Sequence, residues 1–372
     1  MTATLMRAAT GAEVGRLEVG AYTIPTDAPE SDGTIAWDST TVVVVEATAG
    51  DERGLGYAYA DAAAARLIEG TLAGVVQGRD AMAVPGAWQA MVEAVRNVGR
   101  PGIASSAIAA VDVALWDLKA RLLGLPLAAL LGQVRDGVEV YGSGGFTSYD
   151  VDRLGEQLAS WTRAGIQRVK MKVGRDPAGD PARVAAARTA IGPEAELFVD
   201  ANGAYERKHA LALAERFAQE SCVTWFEEPV SSDDLAGLRL LRDRAPAGMA
   251  IAAGEYGYAL EYFQRMLAAG AVDVLQADVT RCGGITELLR VGALCAAHEI
   301  PLSAHTAPSI HAHAGCAIAP LIHLEYFHDH VRIERMLFDG VLEPEGGRLI
   351  PDLSRPGLGL ELRRADAQAH AI

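Results

Sequence analysis

The chain has 372 residues, is 50% hydrophobic, and carries a formal charge of −15 with a mean hydropathy of +0.13. That length suits about two domains, and the acidic balance excludes a nucleic-acid partner, which needs a basic face. No apolar run reaches the roughly 18 residues of a membrane span, and residues 1–16 lack the apolar stretch of a signal peptide. Cys222, Cys282, Cys295 and Cys316 form no C-x-x-C pair, so they read as reduced, mostly buried thiols of a cytoplasmic protein.

Residues 40–47 are a β-branched strand, with a hairpin partner over 54–59 across the Gly50-Asp51 turn. The polar segment 26–33, with Pro29 and Gly33, reads as a loop. From 61 to 122 the pattern turns helical. Ile108, Val111, Leu115 and Leu118 recur at helical spacing and predict an amphipathic helix. A sheet followed by helices predicts a small α+β domain over residues 1–125.

Strands and helices alternate from there. Strand starts fall near 138, 169, 197, 224, 249, 274, 301 and 323, with helices such as 148–164, 181–191, 208–219, 260–269 and 285–299 between them. Alternation of this kind demands a parallel sheet, and eight units close into a (β/α)8-type, TIM-like barrel, here over residues 126–340. The turn-rich tail, 341–372, is expected to fold back onto the first domain.

The informative feature is the phase of the polar residues. Lys170-Met171-Lys172, Asp200, Glu227, Glu255, Asp278, His305 and Glu325 each sit at or just past an apolar run, at intervals of about 20 to 30 residues, the length of one barrel unit. They therefore converge on the carboxyl-end mouth, where barrel active sites are built. Asp200, Glu227 and Glu255 would repel one another without a counter-ion. All-oxygen ligands without cysteine favour Mg²⁺ over Zn²⁺. Lys170 and Lys172, two apart on one strand, face the same way. Two adjacent ammonium groups depress each other's pKa, and so does a nearby Mg²⁺, so one of them can be a neutral base. Asp278 can hold one ring nitrogen of His305 and leave the other free for proton transfer. A carboxylate substrate chelated by the ion would lose its α-proton to give an enediolate. Glu325, raised in pKa among other acids, could hydrogen-bond that enediolate in protonated form.

At these residues the chain resembles the enolase superfamily, mandelate racemase subgroup. The motifs are Val169-Lys170-Met171-Lys172-Val173-Gly174, Val199-Asp200-Ala201-Asn202-Gly203, Trp225-Phe226-Glu227-Glu228-Pro229, Gly254-Glu255, Asp278 with Cys282-Gly283-Gly284, Ser303-Ala304-His305 and His323-Leu324-Glu325. The resemblance also makes the first domain a capping domain, closed by a helix containing Asp112 to Ala120. It implies Mg²⁺ on Asp200, Glu227 and Glu255, Lys172 as one acid/base group with Lys170 tuning it, and His305 with Asp278 as the other. Glu325 would stabilise the enediolate and Asn202 would touch the substrate; Glu228 takes no role. His305 in place of a second lysine favours sugar-acid dehydration to a 2-keto-3-deoxy acid, with racemisation or epimerisation of a 2-hydroxy acid as the alternative. A non-catalytic metal-binding barrel is the remote alternative. The expected partners are a small-molecule carboxylate and further copies of the chain.

Overall fold

A computed structural model describes residues 12–372. The first eleven residues, which include most of the segment read for a signal peptide and the start of the first domain, lie outside the described residues. Three antiparallel strands come first: β1 (Leu17–Ser31), β2 (Ala36–Ala49) and β3 (Glu52–Tyr59), in the order β1-β2-β3. β2 is central. Its run Val42 to Ala47 is buried throughout, as expected of β-branched residues covered on both faces.

The predicted loop 26–33 is largely strand. β1 continues to Ser31, with its register to β2 broken between Pro25 and Glu30. Local bonds meet several of the polar groups in this stretch. The indole of Trp37 donates to Glu30 at 2.8 Å, and Asp32 accepts from the backbone N–H groups of Thr34 and Ile35.

The helix Ile103–Leu122 is not simply amphipathic. It is buried continuously from Ala104 to Leu118, because the sheet covers one side and the barrel helix Ile285–Ala297 the other. Gly54 and Gly56 permit the first contact: a Cβ at either would meet a helix carbonyl at 2.3 Å. Asp112 and Trp116 make the second, both bonding Thr286.

Eight parallel strands form the barrel: β4 (Val138–Gly144), β5 (Arg168–Lys172), β6 (Glu196–Asp200), β7 (Val223–Glu227), β8 (Ala250–Ala253), β9 (Val274–Ala277), β10 (Leu302–Ala304) and β11 (Leu321–Phe327). β11 pairs in parallel with β4, so the barrel closes. Side chains alternate across each strand, so Phe198 and Asp200 both point inward, as do Trp225 with Glu227 and His323 with Glu325. The lower members fill the barrel: Phe198 stacks on Trp225 at 5.2 Å, with Tyr141 and His323 against them. The upper members are the charged residues. This aromatic floor closes the barrel to solvent beneath them.

The tail continues through β12 (Phe338–Asp339), β13 (Arg348–Leu349) and β14 (Glu361–Leu362). It returns to the first sheet: Thr23 donates to the carbonyl of His370, Ile372 to that of Ala21, and Arg364 grips Glu46 through both carboxylate oxygens at 2.6 and 2.7 Å.

Candidate active site

Strand register sets the site. Lys172 on β5 is level with Asp200 on β6, and Asp200 with Glu227 on β7. Glu255 follows β8 past Gly254, whose φ of +138° and 2.1 Å Cβ clearance to the Gln276 carbonyl leave room for glycine alone. Carboxylate oxygens of Asp200, Glu227 and Glu255 lie within 4.8 Å of one another, and all three residues are buried. Oε2 of Glu255 completes no hydrogen bond, with His305 Nε2 3.2 Å away. An all-oxygen set this close, with an orphaned oxygen, fits a hard divalent ion.

The lysines bind to this triad. Nζ of Lys172 lies 2.5 Å from Asp200, and Nζ of Lys170 lies 2.6 Å from Glu227, 2.8 Å from Glu325 and 3.4 Å from Asp200. Burial favours the neutral amine, but the surrounding carboxylates together outweigh it, Asp200 foremost at Lys172 and Glu227 with Glu325 at Lys170, so both are held above the ordinary lysine value. The two ammonium groups are each nearer to carboxylates than the repulsion argument allowed.

Burial raises the pKa of Glu325, yet Lys170, His305 and Lys172 together hold it below the usual carboxylate range. Ser143 donates to the same Oε1 at 2.5 Å. The excess negative charge falls elsewhere. Burial and then Asp200 push Glu227 up to about 8. Glu228, buried and with φ of +37°, is pushed well up by burial and by Glu255. Its Oε1 has no partner. The sequence reading passed over Glu228; its signal was a second acid directly beside a strand-end acid.

Across the mouth, Nδ1 of His305 lies 2.8 Å from Oδ2 of Asp278. Nε2 lies 3.2 Å from Glu255 and 3.5 Å from Glu325. Burial lowers the imidazole pKa, but Glu255, Glu325 and the bond to Asp278 raise it above the ordinary value. Asp278 is held low, because His305 and Arg281 overcome its burial. Arg281 was not foreseen. Its guanidinium lies 3.3 Å from Glu255 and 3.6 Å from Asp278, tying the triad to the His-Asp pair. Its position three residues past Asp278 was the available clue. His311 bonds only backbone, accepting from Val279 and reaching the carbonyl of Thr306, so it is structural.

Lys172, Asn202, Glu255, Asp278, His305 and Glu325 line one cavity of about 510 Å³, roofed from the first sheet by Asp32, Ile35, Trp37, Thr41 and Tyr59. Asn202 has φ of +46° and a buried Oδ1 without a partner. Lys170, Asp200 and Glu227 lie deeper. A larger cavity of about 930 Å³ lies outside the mouth and contains none of the predicted residues.

Two proton-transfer groups flanking a carboxylate triad, under a sheet-and-helix cap, define the capped-barrel acid/base enzymes that use a divalent ion. The sequence matches the mandelate racemase / muconate lactonizing enzyme N-terminal domain over residues 22–132 and the enolase C-terminal domain-like family over residues 153–367. The chain belongs to the enolase superfamily and is an enzyme of its mandelate racemase/muconate lactonizing branch. It is 61% identical to a mandelate racemase/muconate lactonizing enzyme-like protein from Rubrobacter xylanophilus, with a TM-score of 0.95 over 97% of this chain and 100% of that one. L-Talarate/galactarate dehydratase of Salmonella typhimurium is 32% identical over 96% of this chain and 91% of its own length. A Streptomyces coelicolor racemase solved with bound magnesium is 31% identical, with a TM-score of 0.90 over 96% of this chain and 100% of that one.

Proposed function

We propose that this enzyme dehydrates a sugar acid, taking the α-proton and expelling the 3-hydroxyl to give a 2-keto-3-deoxy acid. The observation that carries the reading is the single cavity lined by both Lys172 and the His305–Asp278 pair beside Glu255. Asp200, Glu227 and Glu255 would hold Mg²⁺. Bound there, Mg²⁺ neutralises the carboxylates that keep the lysines charged and the negative charge that develops on the substrate carboxylate. Lys172 or His305 removes the α-proton, and the C–H electron pair moves into the carboxylate to form the enediolate. Lys170 and Glu325 stabilise and position that group, and Asn202 contacts the substrate. The enediolate then expels the 3-hydroxyl, which leaves as water on protonation by His305. The enol that results ketonises. Asp278 keeps His305 in the tautomer and orientation that this needs.

The roof supports a monocarboxylic rather than a dicarboxylic acid. It presents Asp32, Ser39, Thr40, Thr41, Tyr59 and Asp61, which are hydroxyls and acids. Arg281 is already shared by Glu255 and Asp278. His330 stacks on Tyr59 at 3.3 Å, and burial pushes it down to about 3, so it is neutral. Among the described lining residues, no cation remains for a second carboxylate. The domain division that fits this reading is a cap over 1–125, a catalytic barrel over 126–340 and a tail over 341–372.

Racemisation is the second reading, because groups on both sides of an α-carbon also permit 1,1-proton transfer. A library of acids incubated with Mg²⁺ in D₂O separates the two. Dehydration predicts 2-keto-acid, from monocarboxylic sugar acids above dicarboxylic ones. Deuterium uptake with inversion and no 2-keto-acid from any member would establish the racemase instead.

A further inference from the structure

Asp27 and Glu30 lie on the irregular stretch of β1, and His328 opens the helix His328–Leu337 directly after β11. The cap and the last barrel strand therefore meet through these side chains. Nε2 of His328 is 3.2 Å from Oδ2 of Asp27. A ring nitrogen of His328 and one carboxylate oxygen from each acid lie within 4.8 Å of one another. Glu30 is only 1% exposed, and while its Oε2 accepts from Trp37, its Oε1 is buried with no hydrogen-bond partner. A buried carboxylate oxygen without a donor calls for a proton, a water or a cation. The neighbouring arginines do not supply one. Arg332 is turned to Asp329 and the carbonyl of Pro25, and Arg153 is turned to Tyr149, reaching Asp27 at 3.5 Å.

We propose that Asp27, Glu30 and His328 form a second divalent-cation site, separate from the barrel triad, that pins the cap to the end of β11. One imidazole nitrogen and two carboxylates suit Zn²⁺ or a similar transition ion, whereas the all-oxygen triad suits Mg²⁺. The position gives the ion a structural task. It would tie β1, next to the roof residue Trp37, to the segment following Phe327, both of which line the cavity.

The test is calorimetric titration of Zn²⁺ into the intact chain in saturating Mg²⁺. The wild type should bind one molar equivalent more than Asp27→Asn or His328→Gln. Asp27 is an exposed side chain, so Asp27→Asn should fold normally, checked by an unchanged Tm without Zn²⁺. Zn²⁺ should raise the Tm of the wild type and not that of Asp27→Asn. Asp200→Asn, which removes a ligand from the barrel triad, should keep the additional equivalent. Equal Zn²⁺ stoichiometry in the wild type, Asp27→Asn and His328→Gln overturns the proposal, as does loss of the additional equivalent in Asp200→Asn alone.

Discussion

His305 and Asp278 come from consecutive strand ends, and their 2.8 Å contact leaves the second imidazole nitrogen facing the cavity and the triad. Asp278 is itself held in place. Its other oxygen accepts from the backbone and hydroxyl of Thr280, so the carboxylate cannot turn away from the ring.

This pairing makes His305 and Lys172 separable. His305→Asn should reduce dehydration by about 10²–10⁴-fold, the usual cost of losing general acid/base assistance. Exchange of the α-proton with solvent should survive for the epimer that Lys172 addresses. Lys172→Ala should show the opposite epimer preference. Deuterium incorporation followed by NMR reads both, and full dehydration by His305→Asn would remove that residue from the mechanism.

Metal dependence should follow the triad. Removing Mg²⁺ with a chelator should abolish turnover, and Asp200→Asn should raise the Mg²⁺ concentration needed for activity. A crystal grown in Mg²⁺ should show oxygens of Asp200, Glu227 and Glu255 at about 2.0–2.1 Å from the ion. An ion ligated by other residues would contradict the assignment.

Substrate choice should lie in residues 26–37. This segment carries Asp32, Ile35 and Trp37 into the cavity but reaches none of the triad. Exchanging it for the matching segment of a relative should change KM and substrate range and leave Mg²⁺ affinity intact. Identical specificity before and after the exchange would place the determinants in the barrel.

A buried acid away from the mouth gives a pH effect on stability. Glu334 accepts from Tyr57 and Ser309, each at 2.5 Å, yet burial pushes its carboxyl up to about 7. The unfolded chain ionises this group near the ordinary value of about 4.3. Between those two values the folded state binds more protons, so this group's contribution to stability falls as pH rises and levels off above about 7. Glu334→Gln stays neutral throughout. Its Tm relative to the wild type should therefore rise between about pH 5 and 7, and a constant difference would show that Glu334 titrates normally.

The alternation of apolar runs and strand-end charges was sufficient for the barrel, while the first domain was read from a sheet followed by helices and its capping role from the family resemblance. A parallel strand buries both faces and a return helix one, so the fold writes itself into local composition. The same phase brought Lys170, Lys172, Asp200, Glu227, Glu255, Asp278, His305 and Glu325 to one mouth. Residues 26–33 were misread because polarity reports solvent and local bonding, and a strand whose groups are met by Trp37, Thr34 and Ile35 looks like a loop.

Protonation was decided by tertiary structure alone. Spacing shows that two lysines and several acids converge, but their charge depends on differences of a few tenths of an ångström among Lys170, Glu227 and Glu325 in a medium without water to screen them. Glu228, Arg281 and the cap side chains that roof the cavity belong to the same category. Their surroundings include groups distant in sequence, such as Glu255 beside both Glu228 and Arg281, and proximity of that kind has no period to read.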